Sequence, residues 1–327
     1  MNLLLIDSFD HYNTADIAKK WTAANIGSIS AGTGRNGTAS MRIFGSQNGP
    51  QFSVSNLPTV YVGFAFRLQN AGATMHMLRL LDGASIQLDM GITPSNFMVV
   101  KRGGATVVST ATTNALSAGA YYFLEARFTL HASAGSCEVR VNGVTVINDT
   151  GLNLITSANA YMNSVMLMSA AGTGNHDFDD FWMTTDAFLG DCRVVAVLPQ
   201  GAGNYSQWTP SAGLGWQCVD EAAMNADTDY VLSAVAGQRN SYDFAPVGFT
   251  GNVKAVQQIT TLRKDDAGSR TAQQFARISG TDYDSANITV LDSYAMQRRI
   301  LTVNPATGAG WNTSDIDNAE FGTRIVS

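Results

Sequence analysis

Residues 137–146 read CEVRVNGVTV. Cys137, Val139 and Val141 alternate with Glu138 and Arg140, so one side of the segment is apolar and the other charged, the period of a half-buried strand. Asn142 and Gly143 both tolerate positive φ and together form the strongest short hairpin signal. The strand pattern resumes at Val144–Asp149. The stretch therefore predicts an antiparallel hairpin, and the chain on either side repeats the pattern. Strands are expected upstream at Leu3–Phe9, Ser40–Ile43, Val60–Leu68, Met75–Leu81, Ser85–Met90, Phe97–Lys101, Thr106–Ser109 and Tyr121–Leu130. Two more follow at Ser164–Met168 and Phe178–Met183. Many short strands joined by hairpin turns predict a two-sheet sandwich. Ala15–Ala24 carries helix formers, with Ile17 and Trp21 one turn apart, and predicts a short helix.

The second half repeats the pattern, with strands expected at Arg193–Leu198, Tyr230–Ala234, Ser241–Phe244, Val253–Leu262, Thr271–Ile278, Ala286–Leu291, Gln297–Val303 and Gly322–Val326. The Gly-rich pieces GAGNY (201–205) and SAGLGWQ (211–217) read as loops. In WNTSDIDNAEFG a helical turn is expected with Ser314 as its N-cap and Asp315 and Asp317 in the first turn. The expected fold class is all-β: two tandem antiparallel β-sandwich (jelly-roll) domains, 1–188 and 189–327.

Only 14% of the 327 residues are charged, against 45% hydrophobic, with 31 glycines and a net charge of −6. A typical globular chain carries roughly 25% charge, so this surface must be built from Ser, Thr, Asn, Gln and Gly, as suits an extracellular or particle-bound β protein. Neither half has a basic excess, so no nucleic-acid footprint is expected and no attraction to anionic membranes. No apolar run approaches the ~20 residues of a membrane helix, and the N-terminus lacks the basic start of a signal peptide. Cys137, Cys192 and Cys218 show no CxxC spacing and read as buried thiols; a Cys192–Cys218 disulfide has no support beyond proximity in sequence.

Several motifs carry resemblances. IDSFDHY, VGFAFRL, YYFLEARFTL, CEVRVNGVTV and DFDDFWM, in that order over residues 1–187, resemble the concanavalin A-like (LamG-type) jelly roll. LGDCRVVAVLPQGAGNYSQWTPSAG, WQCVDE, DTDYV, LRKDDAGSR and NPATGAGWNTSDIDNAEFGTRI, spanning 189–327, resemble a domain common in virion proteins of tailed bacteriophages and prophages. The resemblance implies a phage structural protein of the tail, fibre apparatus or head decoration. It is expected to be non-enzymatic, made in the host cytoplasm and located in the virion. Its partners would be other virion proteins and copies of itself, a trimer being the first expectation. The alternative is a lectin-like module that recognises host surface glycan.

NHDFDDFWMTTD (175–186) is the densest acidic stretch. It fails the calcium-loop template, because Phe181 and Trp182 stand where an oxygen ligand and a glycine are needed. His176 has no second histidine at zinc-ligand spacing, since His11, His76 and His131 are scattered. Asp177, Asp179 and Asp180 remain as minor cation candidates, and no cofactor is expected. Concanavalin-like glucanases carry paired glutamates on one strand, whereas the glutamates here, Glu125, Glu138, Glu221 and Glu320, form no such pair. With an unbroken period of two, Phe178, Asp180 and Trp182 share one face, so an aspartate must meet an apolar layer. The lectin-like resemblance implies that Asp179 or Asp180 is buried and bonded to the N-terminal segment near Ser8–Tyr12. Domain 2 has no histidine to act as a base. Asp282 and Asp284, with Asp265 and Asp266, read as solvated loop tips. Trp208, Trp216 and Trp311 fall in expected loops, where they either fold back on the sandwich or contact a sugar or a neighbouring subunit.

Overall fold

The computed structural model describes residues 1–23, 27–45, 47–70, 72, 74–169 and 175–327. It is all-β, and it divides into two compact units, Met1–Val194 and Val195–Ser327. Among the described residues no helix is long and apolar enough to cross a membrane.

In the first unit two antiparallel sheets face each other. The larger runs Val144–Leu152, Gly135–Val141, Tyr121–Thr129, Thr59–Leu68, Asn175–Thr184, Ser40–Phe44 and Ser28–Ser30, with Leu3–Asp7 also paired to Asn175–Thr184. The hairpin at Asn142–Gly143 forms as expected, both residues at positive φ. The second sheet runs Gln47–Leu57, Met162–Ser169, Met75–Asp82, Ser85–Ile92, Met98–Arg102 and Thr106–Thr110. Gln47–Leu57 was not expected from sequence. It contains Pro50, and a strand carrying proline is tolerated here because it lies at a sheet edge, where one side of the backbone needs no ladder partner. The expected helix at Ala15–Ala24 shortens to a 3-10 turn, Thr14–Asp16, and an α turn, Ile17–Lys20; Ala24 lies outside the described residues.

Between the sheets an aromatic column fills the core. Phe178 packs on Phe64 and Phe66, Phe181 stacks on Phe64, and Trp21 meets Phe181, Phe52 and Phe9. Phe178 and Phe181 are three apart, so a regular strand would turn one of them away. A β-bulge between Asp179 and Trp182 resolves this: Asp180 takes φ of 51°, and two residues of this strand lie opposite one of Thr59–Leu68. Both phenylalanines then face inward, while Asp177, Asp179 and Trp182 face outward. The expected clash between an aspartate and the apolar layer never arises.

The N-terminal segment is fixed by a different aspartate. Asp7, wholly buried, accepts hydrogen bonds from Phe9 N–H (2.9 Å), Tyr12 hydroxyl (2.8 Å) and Trp21 Nε1 (2.8 Å). It pairs with the equally buried Lys20 ammonium at 3.0 Å. Burial opposes ionisation of Asp7, yet the Lys20 charge and these donors hold its carboxyl below the ordinary range. His11, pushed down to about 3 by burial and by Lys20, is neutral and sits 3.0 Å from the ammonium.

The second unit has a sheet ordered Pro199–Ser206, Arg239–Phe244, Glu320–Ile325, Arg270–Ile278 and Thr281–Asp284, with Ile288–Val290 paired to Arg270–Ile278. A two-stranded ribbon, Val256–Leu262 with Ala295–Leu301, is joined to that sheet by hydrogen bonds from side-chain amides: Gln258 Nε2 donates to the Gly322 carbonyl and Gln274 Nε2 to the Gln297 carbonyl. GAGNY, expected as loop, lies within Pro199–Ser206, and Arg193–Leu198 is not a strand. Gly203 is the reason: a Cβ there would meet Ser241 and Glu320, so glycine lets this strand approach its neighbour closely. The helical turn is Thr313–Asp317, capped by Asn312 instead of Ser314, with a reciprocal bond to Asp315.

Breaking a buried ion pair from one side leaves an uncompensated charge. Lys20→Met or Asp7→Asn is therefore expected to destabilise the first unit by about 3–5 kcal/mol, read as a fall in the denaturant midpoint. The double substitution should cost less than the sum of the two.

Candidate functional site

The acidic stretch is a structural junction. Asp177 is wholly buried and accepts from Arg42 Nε (2.7 Å), Arg67 Nη2 (2.7 Å) and Gln69 Nε2 (2.6 Å), which tie three adjacent strands. Burial raises its pKa, but the Arg42 and Arg67 bonds prevail and keep it ionised. Asp179 and Asp180 are both buried, as expected, but not bonded to Ser8–Tyr12. Asp179 accepts from Arg35 N–H (2.7 Å), and Asp180 from Val194 N–H (2.7 Å). The bulge turns them to the outer face, whereas the N-terminal strand pairs alongside in the plane of the sheet. Among the described residues no group of three or more His, Cys, Asp or Glu is arranged to hold a metal ion.

The segment after this strand is a strap across the same outer face. Phe188 packs on Tyr61 and beneath Arg140, and Gly190 N–H donates to the buried Glu125 (2.9 Å). Asp191 takes both Arg35 Nη atoms (2.5 and 2.6 Å). Residues 189–194 therefore belong to the first unit, and the units divide after Val194 where the sequence suggested 188. Trp182 lies over Gly63, where any Cβ would collide with its indole. The outer face of the larger sheet is thus partly covered by the strap and by the loop at Thr33–Arg35, whose Thr33 carbonyl accepts from Arg67 and Tyr121.

The smaller sheet's outer face holds a different constellation, which the sequence reading missed. Gln51, Met166, Arg79, Asp89 and Lys101 are register partners on five adjacent strands, so their side chains share one face. Their neighbours Val165, Leu80, Leu88 and Val100 point to the core and are fully buried. Asp89 takes Arg79 Nε at 2.7 Å and Nη2 at 2.9 Å, and His76 Nδ1 lies 2.6 Å from its Oδ2. Burial disfavours the Asp89 charge, but the Arg79 and His76 bonds hold its pKa low. His76 Nδ1 is thus spent on Asp89, and Nε2 bonds to no described residue. The rings and guanidinium remain partly exposed, at 16% for His76 and 15% for Arg79. Beside them the buried Leu81, Met166 and Met168 form an apolar cluster, with the partly buried Ile86 packed against it.

Two glycines build this site. The strand bulges between His76 and Leu78 directly over Gly91, where a Cβ would collide with the Met75 carbonyl. That close approach turns His76 onto Asp89. Gly104, at φ of 77°, lets the Arg102–Thr106 turn bend over the cluster, its Cβ position 3.1 Å from Asp89 Oδ2 and 3.5 Å from Arg79 Nη2. The signal in the sequence was a lone Arg and a lone Asp inside apolar strands, LRLLD and IQLDM.

In the second unit Trp311 is buried in the core beside Ile316 and Phe321, its Nε1 on the Leu301 carbonyl at 3.0 Å, and so is not a contact residue. Trp208 and Trp216 are half-buried. Asp282 and Asp284 are strand residues, not solvated tips: Arg277 binds Asp282 (2.8 Å), and Arg239 binds Asp284 (2.8 Å). Asp265 and Asp266 do lie in a loop, where Asp266 pairs with Arg270. Cys218 is a buried free thiol, and Cys192 Sγ lies 3.4 Å from the Leu189 carbonyl.

No protein-family model matches the chain, and no curated protein does. Among solved structures it is similar to an endo-β-1,4-glucuronan lyase from the fungus Trichoderma reesei, at 13% identity over 50% of this chain and 91% of that one, TM-score 0.41. It is similar to an alginate lyase in complex with alginate trisaccharide, at 12% identity over 56% and 98%, TM-score 0.43. A protein with a galectin-like fold from Bacillus subtilis shows 11% identity over 57% and 96%, TM-score 0.40. With lyases among these neighbours, the expectation that the chain is not an enzyme is withdrawn. A missing glutamate pair excludes one glycosidase mechanism and leaves other chemistry open.

Asp179 is pushed up to about 8 by burial, aided by the charges of Asp180 and Asp10. Between the ordinary carboxylate range and about 8, the folded chain holds a proton that the unfolded chain has released. Stability is therefore expected to fall as pH rises through this window and to level off above it, and Asp179→Asn should flatten this part of a melting-temperature profile. Gly91→Ala should destabilise the first unit by about 1–3 kcal/mol and shift the His76 ring resonances in an NMR spectrum.

Proposed function

We propose that the first unit is a glycan-binding module and that the outer face of its smaller sheet is the binding surface. The observation that carries this is the row from Gln51 to Lys101 with His76 locked against Asp89. Ligand sites combine apolar area with a few well-placed polar groups. Here the oriented polar groups are His76 Nε2, Arg79 and the Gln51 amide, and the partly buried Ile86 supplies apolar area for the C–H face of a sugar ring. Strands hold these groups more rigidly than loops would. On the opposite sheet the strap and the Thr33–Arg35 loop lie across part of the outer face.

We further place this module in the virion of a tailed bacteriophage, where glycan binding would serve attachment to the host surface. That placement rests on the motifs of residues 189–327, and mass spectrometry of purified particles tests it.

A glycan array with the full chain tests the binding itself. At least one glycan class should be retained, and His76→Ala should weaken that binding by about tenfold or more while the circular dichroism spectrum of the folded chain is kept. Absence of any specific glycan, or full binding by the variant, would overturn the proposal.

A further inference from the structure

The charge arrangement on this face, taken with the glycan-binding reading on which it rests, narrows the ligand. Asp89 is the cross-strand neighbour of both Arg79 and Lys101. Its two oxygens are committed to Arg79 and His76. Among the described residues no carboxylate lies within ion-pair distance of the Lys101 ammonium, although Lys101 is only partly exposed. Arg79 meets Asp89 side-on through Nε and Nη2, which leaves Nη1 outside the pair. One buried negative charge is thus flanked by the two cations Arg79 and Lys101, in a chain whose net charge is −6. Arg102 follows Lys101 at the hairpin end, and no carboxylate pairs with it among the described residues.

Several partly buried arginines elsewhere in the chain meet carboxylates, whereas Arg299 donates to the Gln274 and Tyr283 carbonyls. Arg42 and Arg67 share Asp177, Arg35 has Asp180 and Asp191, and Arg239 and Arg277 have Asp282 and Asp284. Lys101, with no carboxylate partner among the described residues, shares this face with the spare Arg79 Nη1 and the His76 ring, an arrangement suited to an anion carried on a polar ring. We infer that the ligand is an anionic glycan, whose carboxylate or sulfate group is met by Lys101 and Arg79 while His76 Nε2 bonds to a neighbouring hydroxyl. Cationic donors on a low-dielectric sheet surface make stronger hydrogen bonds to an ionised group than to a hydroxyl, so the charge sets the preference.

The test is titration calorimetry of the full chain with three oligosaccharides of equal length: an oligogalacturonate, a sulfated oligosaccharide derived from heparin, and neutral maltohexaose. At least one anionic ligand should bind about tenfold or more tighter than the neutral one. That advantage should shrink as salt is raised from about 0.05 to about 0.5 M. Lys101→Gln, a surface change with no ion pair to break, should remove most of the advantage while leaving the melting temperature in place. The two anionic arms separate a carboxylate from a sulfate preference. Equal binding of neutral and anionic ligands, or an unchanged preference in Lys101→Gln, overturns this inference and leaves glycan binding standing. If a full glycan array also shows no binding, the reading beneath it falls as well.

Discussion

The β-bulge at Asp180 is the constraint on which the first unit depends. Inserting one residue opposite Thr59–Leu68 puts Phe178 and Phe181 on the same side, where they close the aromatic column with Phe64, Phe66 and Trp21. The same insertion puts Asp177, Asp179 and Trp182 on the opposite side. Each of these then fixes something: Asp177 joins three strands through two arginines, Asp179 seats the loop at Arg35, and Trp182 lies over Gly63. Asp180 itself, left at positive φ, receives the end of the strap. A non-glycine residue in that conformation is held there because the surrounding bonds over-determine it.

Two clusters of similar chemistry sit on the two outer faces. On the larger sheet the buried Asp177 is shared by Arg42 and Arg67, which are 20% and 22% exposed, and the pairing joins three strands beside the loop and strap. On the smaller sheet the buried Asp89 is shared by Arg79 and His76, which are 15% and 16% exposed, beside a Lys101 that has no carboxylate partner among the described residues. In both, a buried carboxylate lies under partly exposed nitrogen donors, where the low local dielectric strengthens each bond. The buried Asp7–Lys20 pair is a third case, with no access at all.

The fold was largely legible because strand alternation and the Asn142–Gly143 turn are local signals. Gln47–Leu57 and Pro199–Ser206 were not, since Pro50 and the glycines of GAGNY read as breakers until an edge position and a close approach to Ser241 explain them. The candidate site was less legible still. His76 and Asp89 are thirteen residues apart, on strands that read as ordinary, and what joins them is a bulge over Gly91. Trp311 looked like a loop aromatic because WNTSDIDN is polar around it, yet the segment folds its indole into the core.

The sequence by itself determined the all-β class, the hairpins and the apolar side of most strands, because alternation and turn chemistry act between near neighbours. Only the tertiary structure decided where the bulges fall, which aspartates are paired and which sheet face the strap lies across. These depend on what the rest of the fold brings against each strand, and no local pattern encodes that.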